Sequence, residues 1–125
     1  MKNLHEYILS RPPHVGTFPA KGMRRHLPWS HGLHGSLLYD RELSLAECRK
    51  YELQPILKKS KYLGQEVLAD LDWDEMLPAE VSFVGATEVQ LRFPEHGHTE
   101  RLKPLDFLHA IDCGKIRFLD VKIHA

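Results

Sequence analysis

Between Val81 and Phe93 the apolar residues fall at every second position. Val81 and Phe83 alternate with polar neighbours, as do Val89, Leu91 and Phe93, and Gly85-Ala86 lies between the two runs. Successive side chains of an extended chain point to opposite faces, so this period of two marks strands with one buried face. Two such runs around a short glycine turn define a β-hairpin. A chain that contains this hairpin must build a sheet and find something to cover its apolar face.

The surrounding residues extend the pattern. Glu66–Leu71 and Thr99–Lys103 read as further strands, and Lys115–Ile123 as a last one, rich in Ile, Phe, Leu and Val. Pro104–Cys113 reads as a helix. Proline suits the first helical position, Gly114 suits the residue after the last, and Leu105, Leu108 and Ile111 share a face. Asp72 to Pro78 reads as one helical turn capped by Asp72. Residues 79–123 are thus β-rich with one helix at 104–113.

The first half reads differently. Leu4, Tyr7 and Ile8 have helical spacing, and Ser10-Arg11-Pro12-Pro13 stops them, which predicts a short helix over Asn3–Leu9. Residues 10–36 are loop-rich, broken by Pro12, Pro13, Pro19 and Pro28 and by four glycines. Within them Met23–Leu27 reads as a single helical turn, and Leu33–Tyr39 as a strand. Ser44 and Glu47 form a capping box, in which each side chain satisfies an orphaned backbone donor of the other. Pro55 to Leu63 reads as a second helix, so residues 44–63 are expected to be helical. Lys58, Lys59 and Lys61 fall in its last turns, where cations suit the negative end of the macrodipole. The expected fold class is α+β: a helical N-terminal half packed on a small, mainly antiparallel sheet of three to five strands from the C-terminal half.

At 125 residues and 42% hydrophobic composition, a single domain spanning residues 1–125 can bury a core without disulfide or metal staples. Cys48 and Cys113 form no CxxC pair, and the N-terminal residues lack an apolar leader, so a reduced, cytoplasmic protein is expected. No apolar run approaches the ~18 residues of a membrane span, and no membrane partner is expected. The formal net charge of zero hides segregation. Residues 1–61 carry 11 Lys+Arg against 5 Asp+Glu, and residues 62–91 carry 7 Asp+Glu and no Lys or Arg. Such blocks neutralise each other inside one fold, or offer a basic or an acidic face to a partner.

The chemistry-bearing residues concentrate in Arg24 to Ser36, which holds His26, His31, His34 and Trp29. A second pair, His96 and His98, flanks Gly97. Neutral imidazoles ligate zinc and other transition metals, so His31 and His34 with His96 and His98 are the candidate metal ligands. The pattern is not HExxH, because Gly32 follows His31 where the catalytic Glu would stand. Ser30, Ser36 and Cys48 are candidate nucleophiles without a GxSxG elbow. Asp106, His109 and Cys113 share a helix face, and read more simply as surface and cap residues. Asp70, Asp72, Asp74 and Glu75 lack EF-hand spacing and read as a solvated acidic turn. Neither GxxxxGK[ST] nor GxGxxG is present.

Basic residues interleaved with aromatics grip phosphates and stack on bases, and the same residue types anchor protein interfaces. Arg24, Arg25, Trp29, Arg49, Lys50, Lys58, Lys59 and Lys61 are the candidate partner-binding set. The expected function is a small, non-enzymatic binding or regulatory protein. It would act on a protein or nucleic-acid partner through the basic, loop-rich surface of residues 24–61, need no cofactor, and be capable of self-association. The competing expectation is a metal-assisted hydrolase, in which His26, His31, His34, His96 and His98 hold zinc and the metal acidifies a bound water.

Overall fold

The computed structural model describes residues 4–14, 16–71 and 74–119. They fall into two compact units, the chain passing from the first to the second between Ile56 and Leu57.

The first unit is a four-stranded antiparallel sheet in the order β2-β3-β1-β4. Its strands are β1 (His5–Leu9), β2 (Met23–Leu27), β3 (Ser36–Tyr39) and β4 (Leu53–Pro55). One helix, α1 (Leu45–Tyr51), precedes β4. This overturns the expectation of a helical first half packed on a single C-terminal sheet. Of the expected helix over Asn3–Leu9, Asn3 lies outside the described residues and His5–Leu9 form β1, and the expected turn at Met23–Leu27 is β2. Leu4, Tyr7 and Ile8 fit a helical repeat, but seven residues are too few to exclude a strand. Pairing with β3, about thirty residues away in sequence, decides the matter: Tyr7 faces Leu37 and Ile8 faces Ser36. Tyr7, Ile8 and Leu9 are buried in succession, as in a strand covered on both faces.

The core of this unit holds Leu37, Leu43, Cys48 and Leu53, together with Tyr7 and Tyr39 packed edge to face, centroids 5.8 Å apart. Both phenols are satisfied: the Leu43 amide donates to the Tyr7 hydroxyl at 2.9 Å, and Tyr39 donates to the Pro19 carbonyl at 2.6 Å. Burial pushes the Tyr39 hydroxyl up to about 12. The capping box holds as read, with Ser44 and Glu47 bonded reciprocally at the start of α1. Arg41 adds a bidentate pair to Glu47 at 2.9 and 2.8 Å.

The second unit is a five-stranded antiparallel sheet in the order β8-β7-β6-β5-β9. Its strands are β5 (Glu66–Ala69), β6 (Leu77–Val84), β7 (Val89–Phe93), β8 (His98–Leu102) and β9 (Ile116–Phe118). The helices are α2 (Lys59–Tyr62) and α3 (Pro104–Asp112). The hairpin read from the period of two is β6–β7, with a bulge between Val81 and Phe83. The bulge breaks strict alternation, so Ser82 and Phe83 are both exposed. Strand β8 and helix α3 lie where the sequence placed them. The second expected helix shrinks to the four residues of α2, because Pro55 ends β4 instead of opening a helix. Of the expected turn at 72–78, Asp72 and Trp73 lie outside the described residues, and Leu77 and Pro78 belong to β6. The last expected strand is described through Leu119, and residues 120–125 lie outside.

The core of the second unit runs along the sheet through Val67, Val81, Leu91, Phe93 and Ile116. Phe107 of α3 packs on Tyr62 of α2, rings perpendicular at 5.3 Å. Among the described residues, no helix is long and apolar enough to cross a membrane.

Candidate functional site

The Arg24–Ser36 stretch forms β2, the loop from Pro28 to Gly35, and the first residue of β3. Leu27 and Ser36 are paired across the neck of this hairpin. Gly35 has φ +78°, and a Cβ there would lie 2.2 Å from the Leu27 carbonyl oxygen, so the neck closes only around glycine. The Gly35 carbonyl accepts from the Leu9 amide at 3.0 Å, tying the loop to β1.

The loop is fixed by one carboxylate. Glu6 faces Leu38 across the β1–β3 ladder, and Ile8 faces Ser36, which makes Glu6 and Ser36 diagonal neighbours on one face. Glu6 Oε2 accepts hydrogen bonds from Ser30 Oγ at 2.7 Å and from Ser36 Oγ. His31 Nε2 lies 3.9 Å from the same oxygen. Burial pushes the Glu6 carboxyl up, but the hydrogen bonds from Ser36 and Ser30 and the charge of His31 outweigh it and hold it below the ordinary value. Nε2–H of His26 donates to the His34 carbonyl at 3.1 Å, a second tie across the loop. Sequence reasoning missed Glu6, because it placed Glu6 on a helix and saw no carboxylate in the loop. An acidic residue directly before the apolar run Tyr7-Ile8-Leu9 was the available signal.

This cluster is not a nucleophile–base relay. The carboxylate bonds the serines directly, where a triad would place the imidazole between acid and hydroxyl. Ser36 is fully buried and Cys48 is buried. Burial pushes the Cys48 thiol up to about 11, in keeping with an inert core residue. The hydrogen bonds of Glu6 hold a loop shape.

That shape presents apolar side chains outwards. Trp29 is 73% exposed and Leu33 is 88% exposed. The Arg25 guanidinium lies 6.0 Å from the Trp29 ring centroid, a cation–π contact.

The rest of the candidate binding set is spread over both units. Arg24 pairs with Asp40, Nε to Oδ2 at 2.7 Å. Arg49 and Lys50 are exposed on α1, and Lys50 Nζ stands 5.2 Å from the Tyr51 ring. Lys58, Lys59 and Lys61 are exposed in the second unit, around α2, with Lys61 Nζ 5.3 Å from the Tyr62 ring. The candidate metal ligands divide likewise. His31 and His34 belong to the hairpin of the first unit, and in the second unit His96 lies in the β7–β8 turn and His98 begins β8. Among the described residues, no group of three or more His, Cys, Asp or Glu side chains is arranged to hold a metal ion.

Compared with protein-family models, with curated proteins and with solved structures, the chain matches none.

Proposed function

We propose that the chain is a non-enzymatic binding protein that engages a protein partner through the β2–β3 hairpin, with Trp29 and Leu33 as anchors and Arg25 beside them. The observation that carries this reading is the exposure of Trp29 and Leu33 on a loop fixed from below by Glu6. Tryptophan and arginine dominate binding energy at interfaces, and a loop ordered before contact loses less entropy on binding. Two arginines of the basic block are engaged internally, Arg24 with Asp40 and Arg41 with Glu47, which thins the field for a polyanion. Leu33 offers nothing to a phosphate, but fills a pocket on a protein.

The test places a photo-crosslinking aromatic residue at position 29, with a control at exposed Thr87, in cells that express the protein. The expected result is a discrete protein adduct from position 29 alone. With that protein purified, Trp29→Ala weakens binding tenfold or more, about 1.4 kcal/mol. An adduct equally formed from position 87, or an affinity unchanged in Trp29→Ala, refutes the reading. Salt-sensitive binding of a mixed-sequence oligonucleotide that is lost in Trp29→Ala replaces it with nucleic-acid recognition.

A further inference from the structure

Residues 7–39 contain no Asp or Glu, and the two acids that bound this stretch are engaged. Glu6 accepts from Ser30 and Ser36 beneath the loop, and Asp40 accepts from Arg24. Residues 1–56 as a whole carry eight Lys+Arg against five Asp+Glu, so the first unit has a positive field.

Of the two arginines of the β2–β3 hairpin, Arg24 is spent on Asp40 and Arg25 is open to a partner. Among the described residues, no carboxylate pairs with Arg25. Arg25 stands across from Leu38, and Leu38 across from Glu6, so the three side chains share the sheet face on which Glu6 holds the loop. Strand β2 is an edge strand, so no further strand flanks Arg25 on its outer side. Its guanidinium lies 6.0 Å from the Trp29 ring centroid, a contact that leaves its N–H donors to hydrogen-bond elsewhere.

These side chains set what the hairpin accepts. Exposed Trp29 and Leu33 require apolar surface opposite them. A guanidinium beside an aromatic anchor suits a planar, bidentate acceptor, and on a protein that acceptor is the carboxylate of Asp or Glu. A nucleic acid would need a row of cations along its backbone, and here one of two adjacent arginines is already neutralised.

We infer, on the reading of the hairpin as a protein-binding element, that its partner is an acidic protein surface: an apolar patch that receives Trp29 and Leu33, with an Asp or Glu at its rim that pairs with Arg25.

The probe is a phage-displayed library of random dodecapeptides, panned on the immobilised full chain and counter-selected on Trp29→Ala. Peptides that depend on Trp29 are expected to combine large apolar residues with Asp or Glu. Arg25→Glu weakens synthetic copies of them about tenfold or more and, panned afresh, selects Lys or Arg in place of the acids. Lys103→Glu, the same charge change at an exposed residue of the second unit, alters neither. Trp29-dependent peptides without acidic enrichment, or unchanged affinity in Arg25→Glu, overturn the acidic partner and leave the hairpin reading standing. Absence of any Trp29-dependent peptide overturns both. Displacement of the peptides by a mixed-sequence oligonucleotide at lower concentration assigns Arg25 to phosphate and overturns the acidic partner. If Arg25→Glu loses the circular dichroism of the wild type, the same affinities measured on Arg25→Gln decide.

Discussion

Replacing Glu6 tests whether one carboxylate holds the loop that carries Trp29. In Glu6→Ala the Ser36 hydroxyl, fully buried, loses the acceptor it has in the native loop. An unsatisfied buried polar group costs about 1–3 kcal/mol, and loss of the half-buried bond from Ser30 adds about 1 kcal/mol. The expected loss is therefore about 2–4 kcal/mol, measured by urea unfolding followed by circular dichroism. Ser36→Ala removes the stranded hydroxyl, so adding it to Glu6→Ala restores part of the loss, and the double-mutant cycle shows a coupling of about 1–2 kcal/mol. The pH dependence has a definite sign. The Glu6 carboxyl is held below its ordinary value, so its contribution is complete above the unfolded-state pKa and is lost as pH falls through the folded one. Glu6→Gln therefore shows a shallower acid loss than the wild type. A Glu6→Ala protein within about 0.5 kcal/mol of wild type, or additive single substitutions, would refute the latch.

Gly35→Ala is far more damaging than Gly16→Ala. Both residues have positive φ, which costs a non-glycine residue about 1–2 kcal/mol, but only at Gly35 does a Cβ meet backbone, at 2.2 Å from the Leu27 carbonyl. Equal melting temperatures for the two variants would contradict the closed neck. Glu47 is held down to about 2, first by the hydrogen bonds of Arg41 and then by that of Ser44, so Glu47→Gln flattens the fall in stability between the ordinary carboxylate range of ~4.3 and about 2. Acid titration of the unfolding midpoint checks it. Cys113 is exposed and Cys48 buried, so a thiol reagent at pH 8 titrates one thiol of the native protein rapidly and the second only on unfolding. Trp29→Ala leaves the unfolding free energy within about 0.5 kcal/mol of wild type, because the ring is exposed; a larger loss would make Trp29 a structural residue.

The sequence by itself determined the features that depend on neighbours along the chain. A capping box needs only Ser44 and Glu47 at a spacing of three, and the β6–β7 hairpin needs only two alternating runs around a turn. Helix α3 is framed by Pro104 and Gly114 for equally local reasons. Strands β1 and β2 were decided elsewhere. His5–Leu9 and Met23–Leu27 are five residues each, short enough to fit either period, and they are strands because β3 supplies backbone partners for both. The concentration of histidine, tryptophan and glycine in Arg24–Ser36 was legible, but its organising residue was not. Glu6 lies outside that stretch, and only the β1–β3 register brings its carboxylate to Ser36, Ser30 and His31. The basic block was legible as charge, whereas its division was not: Arg24 and Arg41 are spent on Asp40 and Glu47, and the lysines of α2 belong to another unit. Composition counts charges, but pairing depends on distances that only the folded backbone sets.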